Sequence, residues 1–472
     1  MDPASRSAAV YYRLPSSLQN LAVSAVGLKL KRVRFGRAFE EKLALLRTSD
    51  TWTRERIRAH QDTEVARLAE HAYRTTRYYR RVFDERGLEP GDIRGISDLP
   101  KLPVLTKQDI RSNFDDLLST AVDRSRLQGI RTSGSTGAPL ALVTTREALA
   151  FKWAVWWRHR ERFGVHRGAA HVKFVTKPVV RPTRRRPPYW RWNLAERRQA
   201  VIPMQQVVPT KVAAITAFLD EHPFEFYSGY PSILHSLASI ATESDITLSN
   251  GPRITFSGAE RMFADQQADI ERFTGGAVSQ VYGFNEGAGN AAMCEESHLH
   301  EDFEFGYLEC VDSELDATTG LTRGRVIATG FSNLALPLIR YDVGDAGIWQ
   351  PDDYRCPCGR GTRVLDSIVG RWEDYVVTPD GHRARRLGEI FLHMPEIRRF
   401  QLVQSSPDAV LLRLEVRPGF AAEHEDLLRR RVATWISPSL SVGFEYVDVI
   451  EPSAGGKYQR IVNTIGRSDH TP

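Results

Sequence analysis

Between Thr51 and Leu88 the chain is polar and charged, yet apolar side chains return at Ile57, Val65, Leu68, Ala72 and Tyr73, the spacing of one face of an amphipathic helix. The pattern predicts a helical scaffold there. Pro100 and Pro103 break helix, and Lys107 to Leu118 is predicted as a further helix. Beyond it the pattern changes to short apolar or β-branched runs at Ala170 to Thr176, Phe224 to Ser228, Arg253 to Ser257, Val278 to Tyr282 and Arg325 to Thr329. Helical stretches such as Lys211 to Leu219 and Ser232 to Thr242 separate them. This alternation predicts an α/β architecture of mixed, largely buried sheets and helices.

The pattern shifts again after Gly370. A turn at Pro379-Asp-Gly381, a helix near Arg386 to His393, strands near Phe400 to Gln404 and Ala409 to Val416, and a last helix before Phe444 to Ile450 make a small α+β unit. Its length, about a hundred residues, is that of an ordinary domain. Two domains are therefore expected, a large one over residues 1–371, with 1–50 as a helical extension, and a small mobile one over 372–472. No repeat or long low-complexity tract is present.

At 472 residues, 42% of them hydrophobic, the chain exceeds what one core serves and can fill more than one. It has no run near the roughly 18 apolar residues that span a membrane, and its start lacks the apolar stretch of a signal peptide. A cytoplasmic protein is expected. Four cysteines are too few for a disulfide framework. The net charge of +6 is concentrated at Lys29 to Arg34 and Arg181 to Arg186. Neither run belongs to a nucleic-acid-binding motif, so no nucleic-acid partner is expected. Leu18 to Phe39 suits a basic amphipathic helix lying on a membrane or one packed on the protein body; membrane contact is not expected.

Candidate chemistry lies in a series of short motifs. Thr132, Ser133, Gly134, Ser135, Thr136 and Gly137 combine hydroxyls with two glycines that let backbone approach an anion, although the Gly-Lys-Ser/Thr ending of a P-loop is missing. Tyr282-Gly-Phe-Asn-Glu286 offers an aromatic face for a base and a carboxylate for Mg2+. In Tyr341-Asp-Val-Gly-Asp345 a carboxylate follows a glycine at a turn, where it could accept hydrogen bonds from ribose hydroxyls. Gly370-Arg371 supplies a planar cation and Gly455-Gly-Lys457 a terminal lysine.

In this order the motifs resemble the signature series of the acyl-adenylate-forming superfamily. With Ser228-Gly-Tyr-Pro231, Pro337-Leu-Ile-Arg340 and Cys356-Pro-Cys-Gly-Arg360 added, they look most like its phenylacetate-CoA ligase branch and the capsule-biosynthesis-associated relatives. The resemblance runs from about Thr51 to Ile465. It implies that Thr132 to Gly137 cradles the ATP phosphates, and that Ser257, Gly258, Ala259 and Glu260, with Tyr282 and Gly283, surround the adenine. Asn285 precedes the magnesium ligand Glu286 where Thr or Ser is common. Asp345 would bind the ribose, Arg371 ribose or phosphate, and Lys457 would bridge carboxylate and α-phosphate, stabilising the anionic transition state. Leu140 stands where many superfamily members, though generally not this branch, carry lysine. The small domain would turn about a hinge at Glu373 or Asp374.

Cys294, Cys356 and Cys358 with a histidine, His298 or His300, could complete a tetrahedral zinc site; the same set also suits reduced, buried cysteines with surface histidines. A similar set occurs in some relatives, and their pattern favours His300, giving a structural Zn2+. Cys310 reads as an ordinary strand residue.

The acid would lie among Trp153, Trp156, Trp157, Tyr227, Tyr230 and Phe284, whose aromatic character favours an aromatic acid, although the tryptophans also share a helical face suited to a core. Coenzyme A is the leading acceptor. Amide synthesis, AMP transfer and a noncatalytic nucleotide-binding scaffold are the alternatives, and the oligomeric state is left open, a homodimer included.

Overall fold

The computed structural model describes residues 6–131, 140–196, 198–372, 375–384, 389–391, 394, 396–451 and 460–465. Thr132 to Gly137, the hinge candidates Glu373 and Asp374, Lys457 and most of the predicted helix Arg386 to His393 lie outside them.

The described residues fall into two compact units, a larger one through Val369 and a smaller one made of Gly370 onward together with Gly344–Ala346. The larger is built on a twelve-stranded sheet. In spatial order its strands are Gly306–Leu315, Thr322–Gly330, Tyr341–Trp349, Val364–Arg371, Leu299–Glu301, Asn290–Met293, Ala277–Gly283, Ile254–Gly258, Phe226–Gly229, His171–Val175, Gln199–Pro203 and Arg191–Asn193. The run from Ala277–Gly283 to Gln199–Pro203 is parallel and the neighbours flanking it are antiparallel. The mixed α/β class read from the sequence is the observed one.

The amphipathic scaffold is two helices, Arg54–Thr75 and Arg77–Glu85, capped by the hydroxyls of Thr53 and Thr76. The buried stripe Ile57, Gln61, Val65, Leu68 and Ala72 follows the helical spacing. Lys107 to Leu118 is not one helix: it breaks at Asn113 into Lys107–Ser112 and Phe114–Leu117. Leu18 to Phe39 is not one either. The chain turns at Phe35-Gly36 between Ser16–Arg34 and Arg37–Ser49. The latter inserts Phe39, Leu43 and Leu46 into a core with Phe151, Val155 and Trp157, each worth on the order of 1.5–3 kcal/mol of burial. No described helix is long and apolar enough to cross a membrane.

Arg146–Arg162 is the helix that places most side chains of interest. At about 100° per residue, Arg158 and Arg162 lie on one side and Lys152, Trp153, Trp156 and Arg160 on the other. Arg158 is fully buried, bonded to Asp302 at 2.5 Å and to Glu304 at 2.6 Å, while Arg162 binds Asp50.

The smaller unit packs the helix Ala422–Trp435 on a four-stranded sheet ordered Ser441–Tyr446, Ala409–Val416, Ile397–Ser406, Ile461–Asn463. Leu402, Leu412, Leu414, Leu428 and Val432 fill its core.

Candidate active site

Three parallel strands deliver their carboxyl ends side by side. Gly229 pairs in register with Ser257, and Gly258 with Val281. Ser228-Gly-Tyr-Pro231, Ser257-Gly-Ala-Glu260 and Tyr282-Gly283 therefore meet at one sheet edge, where open α/β sheets bind ligands. The backbone there is held tightly. A Cβ on Gly258 would come 2.9 Å from the Val281 carbonyl oxygen, and Ala259 adopts φ +69°, a left-handed conformation that costs a non-glycine residue energy. The buried Ser257 hydroxyl has no hydrogen-bond partner among the described residues. Glu260 accepts from the Ser232 backbone N–H at 3.1 Å, closing the edge over the helix that follows Tyr230.

Beyond Gly283, Glu286 is buried and accepts a hydrogen bond from the Tyr341 hydroxyl at 3.0 Å. Lys152 reaches the same stretch from the Trp-rich helix, its Nζ 3.3 Å from the Phe284 carbonyl oxygen and 3.5 Å from Asn285 Oδ1. Burial pushes its ammonium down to about 8, with the Glu286 charge opposing that shift.

Asp345 does not sit in a turn. It lies inside the strand Tyr341–Trp349, after Gly344 at φ +77°, and this residue kinks the strand without ending it. Within the smaller unit the kink brings Asp345 Oδ1 3.4 Å from Arg371, and the Trp372 N–H donates to the Gly344 carbonyl at 2.9 Å. Two motifs far apart in sequence thus form one ion pair.

The acid pocket proposed from sequence is divided. Trp153 and Trp156 pack edge to face at 5.0 Å beside the core that holds Trp157. Tyr227 points to the opposite face of its strand, into a core with Phe174 and Ile202, and Tyr230 packs there too. Strand alternation puts Phe226, not Tyr227, on the tryptophan side.

A separate cluster lies in the same unit. The ligand atoms of Cys294, His300, Cys356 and Cys358 are all within 4.8 Å of one another. Cys294 and Cys356 Sγ are 3.8 Å apart, and Cys358 Sγ is 3.3 Å from His300 Nε2. A tetrahedron with Zn–S of about 2.3 Å has S···S edges of about 3.8 Å, so the donor set fits zinc. His300 Nδ1 meets Thr362 Oγ1 at 2.7 Å, a contact that orients the ring. His298 stands beside the set, with Nδ1 3.5 Å from Cys356 Sγ. Burial pushes the Cys356 thiol up to about 12. Cys310 lies in the strand Gly306–Leu315.

Sequence reasoning passed over Lys152, Arg160 and Lys173. The available signal was the interleaving of cations with tryptophans in Phe151-Lys-Trp-Ala-Val-Trp-Trp-Arg158, and a lysine inside the apolar strand His171–Val175.

The CapK C-terminal domain family matches residues 376–464. Over nearly its whole length the chain is similar to protein CapK of Staphylococcus aureus, at 22% identity covering 97% of this chain and 99% of that protein. It is also similar to the phenylacetate-coenzyme A ligase of Thermus thermophilus, at 25% identity covering 88% and 98%. Among solved structures, 2-hydroxyisobutyryl-CoA ligase in its postadenylation state superposes with a TM-score of 0.67 at 20% identity, covering 88% of this chain and 91% of that one, which shows a shared fold. These likenesses support the resemblance to the acyl-adenylate-forming superfamily carried by the motifs. Within it the similarity is to the phenylacetate-CoA ligases and CapK.

Proposed function

We propose that this chain activates a carboxylic acid with ATP and transfers the acyl group to the thiol of coenzyme A. The observation that carries the reading is the convergence of Gly229, Ser257 to Glu260, Tyr282 and Gly283 on one sheet edge beside the buried Glu286. In the first step a carboxylate oxygen attacks the α-phosphorus, and the bond to the β-phosphate oxygen breaks, releasing pyrophosphate. In the second the thiolate attacks the acyl carbon and AMP leaves.

Ser257, Gly258, Ala259 and Glu260, with Tyr282 and Gly283, provide the wall for adenine, and Asp345 with Arg371 the groups for ribose and phosphate. Glu286, held by Tyr341 and flanked by Asn285, is the residue to hold Mg2+, which when bound neutralises phosphate charge. Thr132 to Gly137 and Lys457 take the phosphate and transition-state roles that the family pattern assigns. Trp153 and Trp156 provide flat apolar walls, which favour an aromatic acid. Cys294, His300, Cys356 and Cys358 hold a structural Zn2+ that ties the hairpin at Cys294 to the loop ending at Thr362.

The test is carboxylate-dependent release of pyrophosphate from ATP and Mg2+ over aryl and aliphatic acids, with and without coenzyme A. Release that needs one class of acid and accelerates with coenzyme A is expected. Incorporation of an amine in its place would indicate amide synthesis, and release with no acid supplied would overturn acid activation.

A further inference from the structure

The helix Arg146–Arg162 carries two sets of cations that the fold treats differently. On one side Arg158 and Arg162 meet Asp50, Asp302 and Glu304. On the tryptophan side Lys152 and Arg160 have no carboxylate within ion-pair distance among the described residues, and two more cations join them there. Arg160 stacks over Trp157 at 5.1 Å and Phe226 at 5.8 Å; its Nε is buried without a partner. Lys173 lies on the face of its strand that carries His171, whose ring stacks on Phe226 at 4.4 Å, so it too looks toward the helix. Its ammonium makes no hydrogen bond or ion pair among the described residues. Arg34 sits 4.0 Å over the Trp153 ring. Its charge acts on Lys152, Arg160 and Lys173 alike, lowering all three after burial, to about 8, about 10 and about 8.

The acid that offsets this cluster is Glu196, which interacts with Lys31, Arg34, Arg167 and Lys173 and whose own ionisation burial disfavours. A hollow of about 310 Å³ between Lys31, Phe35, Trp157, Arg167 and Glu196 opens beside it. Burying four cations with so little carboxylate to offset them, and none in ion-pair contact with Lys152, Arg160 or Lys173 among the described residues, is unfavourable in the ligand-free protein. The arrangement is explained if the missing counter-ion arrives with the ligand.

Resting on the proposed acid activation, we propose that the acid carries a second anionic group, a carboxylate, phosphate or sulfate. Arg34, Arg160 and Lys173 bind that group, and Lys152, next to Asn285, faces the carboxylate that is activated. The aromatic rings between them hold the body of the acid.

The experiment compares acids in matched pairs: terephthalate, 4-phosphonobenzoate and 4-sulfobenzoate each against benzoate, and adipate against hexanoate. ATP-dependent pyrophosphate release and the shift in melting temperature of the full chain are both read. In at least one pair the acid with two anionic groups is expected to exceed its counterpart about tenfold or more in kcat/KM, the scale of a charge-assisted hydrogen bond, and the pair that responds identifies the anion. That ratio should fall toward one in Lys173→Met and persist in Lys173→Arg; Arg34→Met serves if Lys173→Met does not fold. Counterparts used as well as the doubly charged acids, or a ratio that survives both Met variants, would overturn the proposal. If no acid releases pyrophosphate, acid activation fails and the melting shift decides. A shift with doubly charged acids alone retains the anion site, and equal shifts within every pair reject it.

Discussion

Tyr341 donates its hydroxyl to the Glu286 carboxylate at 3.0 Å, joining the first residue of one motif to the last residue of another. The two lie 55 positions apart in the chain. Tyr341 is fully buried, so the bond forms away from water and fixes the carboxylate.

Tyr341→Phe is expected to lower kcat for pyrophosphate release about tenfold or more and to raise the Mg2+ concentration needed for half-maximal rate, since hydrogen bonds to charged groups are worth about 1.5–3 kcal/mol. A magnesium titration at saturating ATP checks it. An unaltered magnesium response would separate Glu286 from metal binding.

The thiol cluster makes a stoichiometric prediction. Elemental analysis of purified protein should find about one zinc per chain, and Cys356→Ser should lose it together with thermal stability, because four ligands close a structural site. A variant that retains both metal and melting temperature would reject the assignment.

Arg158→Met strands Asp302 and Glu304 in the interior. Breaking a buried pair by removing one partner costs about 3–5 kcal/mol, and urea unfolding should show a loss of that order. Adding Asp302→Asn and Glu304→Gln should restore part of it, as the stranded charges disappear.

Lys173 gives a dependence on pH. Its folded-state ammonium is lowered to about 8 from 10.5, so between those values the unfolded chain binds more protons and stability rises with pH. The penalty is fully present below about 8 and gone above about 10.5. Lys173→Met should therefore be the more stable protein at pH 7, by on the order of 3 kcal/mol, with the advantage shrinking toward pH 10.5. Unfolding curves of both proteins at the two pH values check it.

Four of the five parallel strands were legible because they are short and largely apolar or β-branched, whereas Gln199–Pro203 was not read as a strand. Phe226–Gly229 and Ile254–Gly258 fall within two residues of their predicted limits. The antiparallel half was not read as strands, apart from Thr322–Gly330 and the segment around Cys310. Asn290–Met293 and Leu299–Glu301 are too short for alternation to register, and Tyr341–Trp349 contains two glycines and two aspartates that read as a turn. Pairing on both sides overrode that local preference. Motif order survives in sequence because each motif is local. The Asp345–Arg371 pair, the Arg158 network and the approach of Lys173 to the Trp-rich helix depend on residues brought together only by folding.

Arg158 and Arg162 moor the helix Arg146–Arg162 from the side away from its tryptophans. Side chains on the tryptophan side can then be exchanged while the mooring keeps the helix in place. If the tryptophan face binds the acid as proposed, selectivity and foldability are written on opposite faces of one element, and descendants of this chain can diverge in diet through a few changes at Lys152, Trp156 and Arg160 without rebuilding the scaffold.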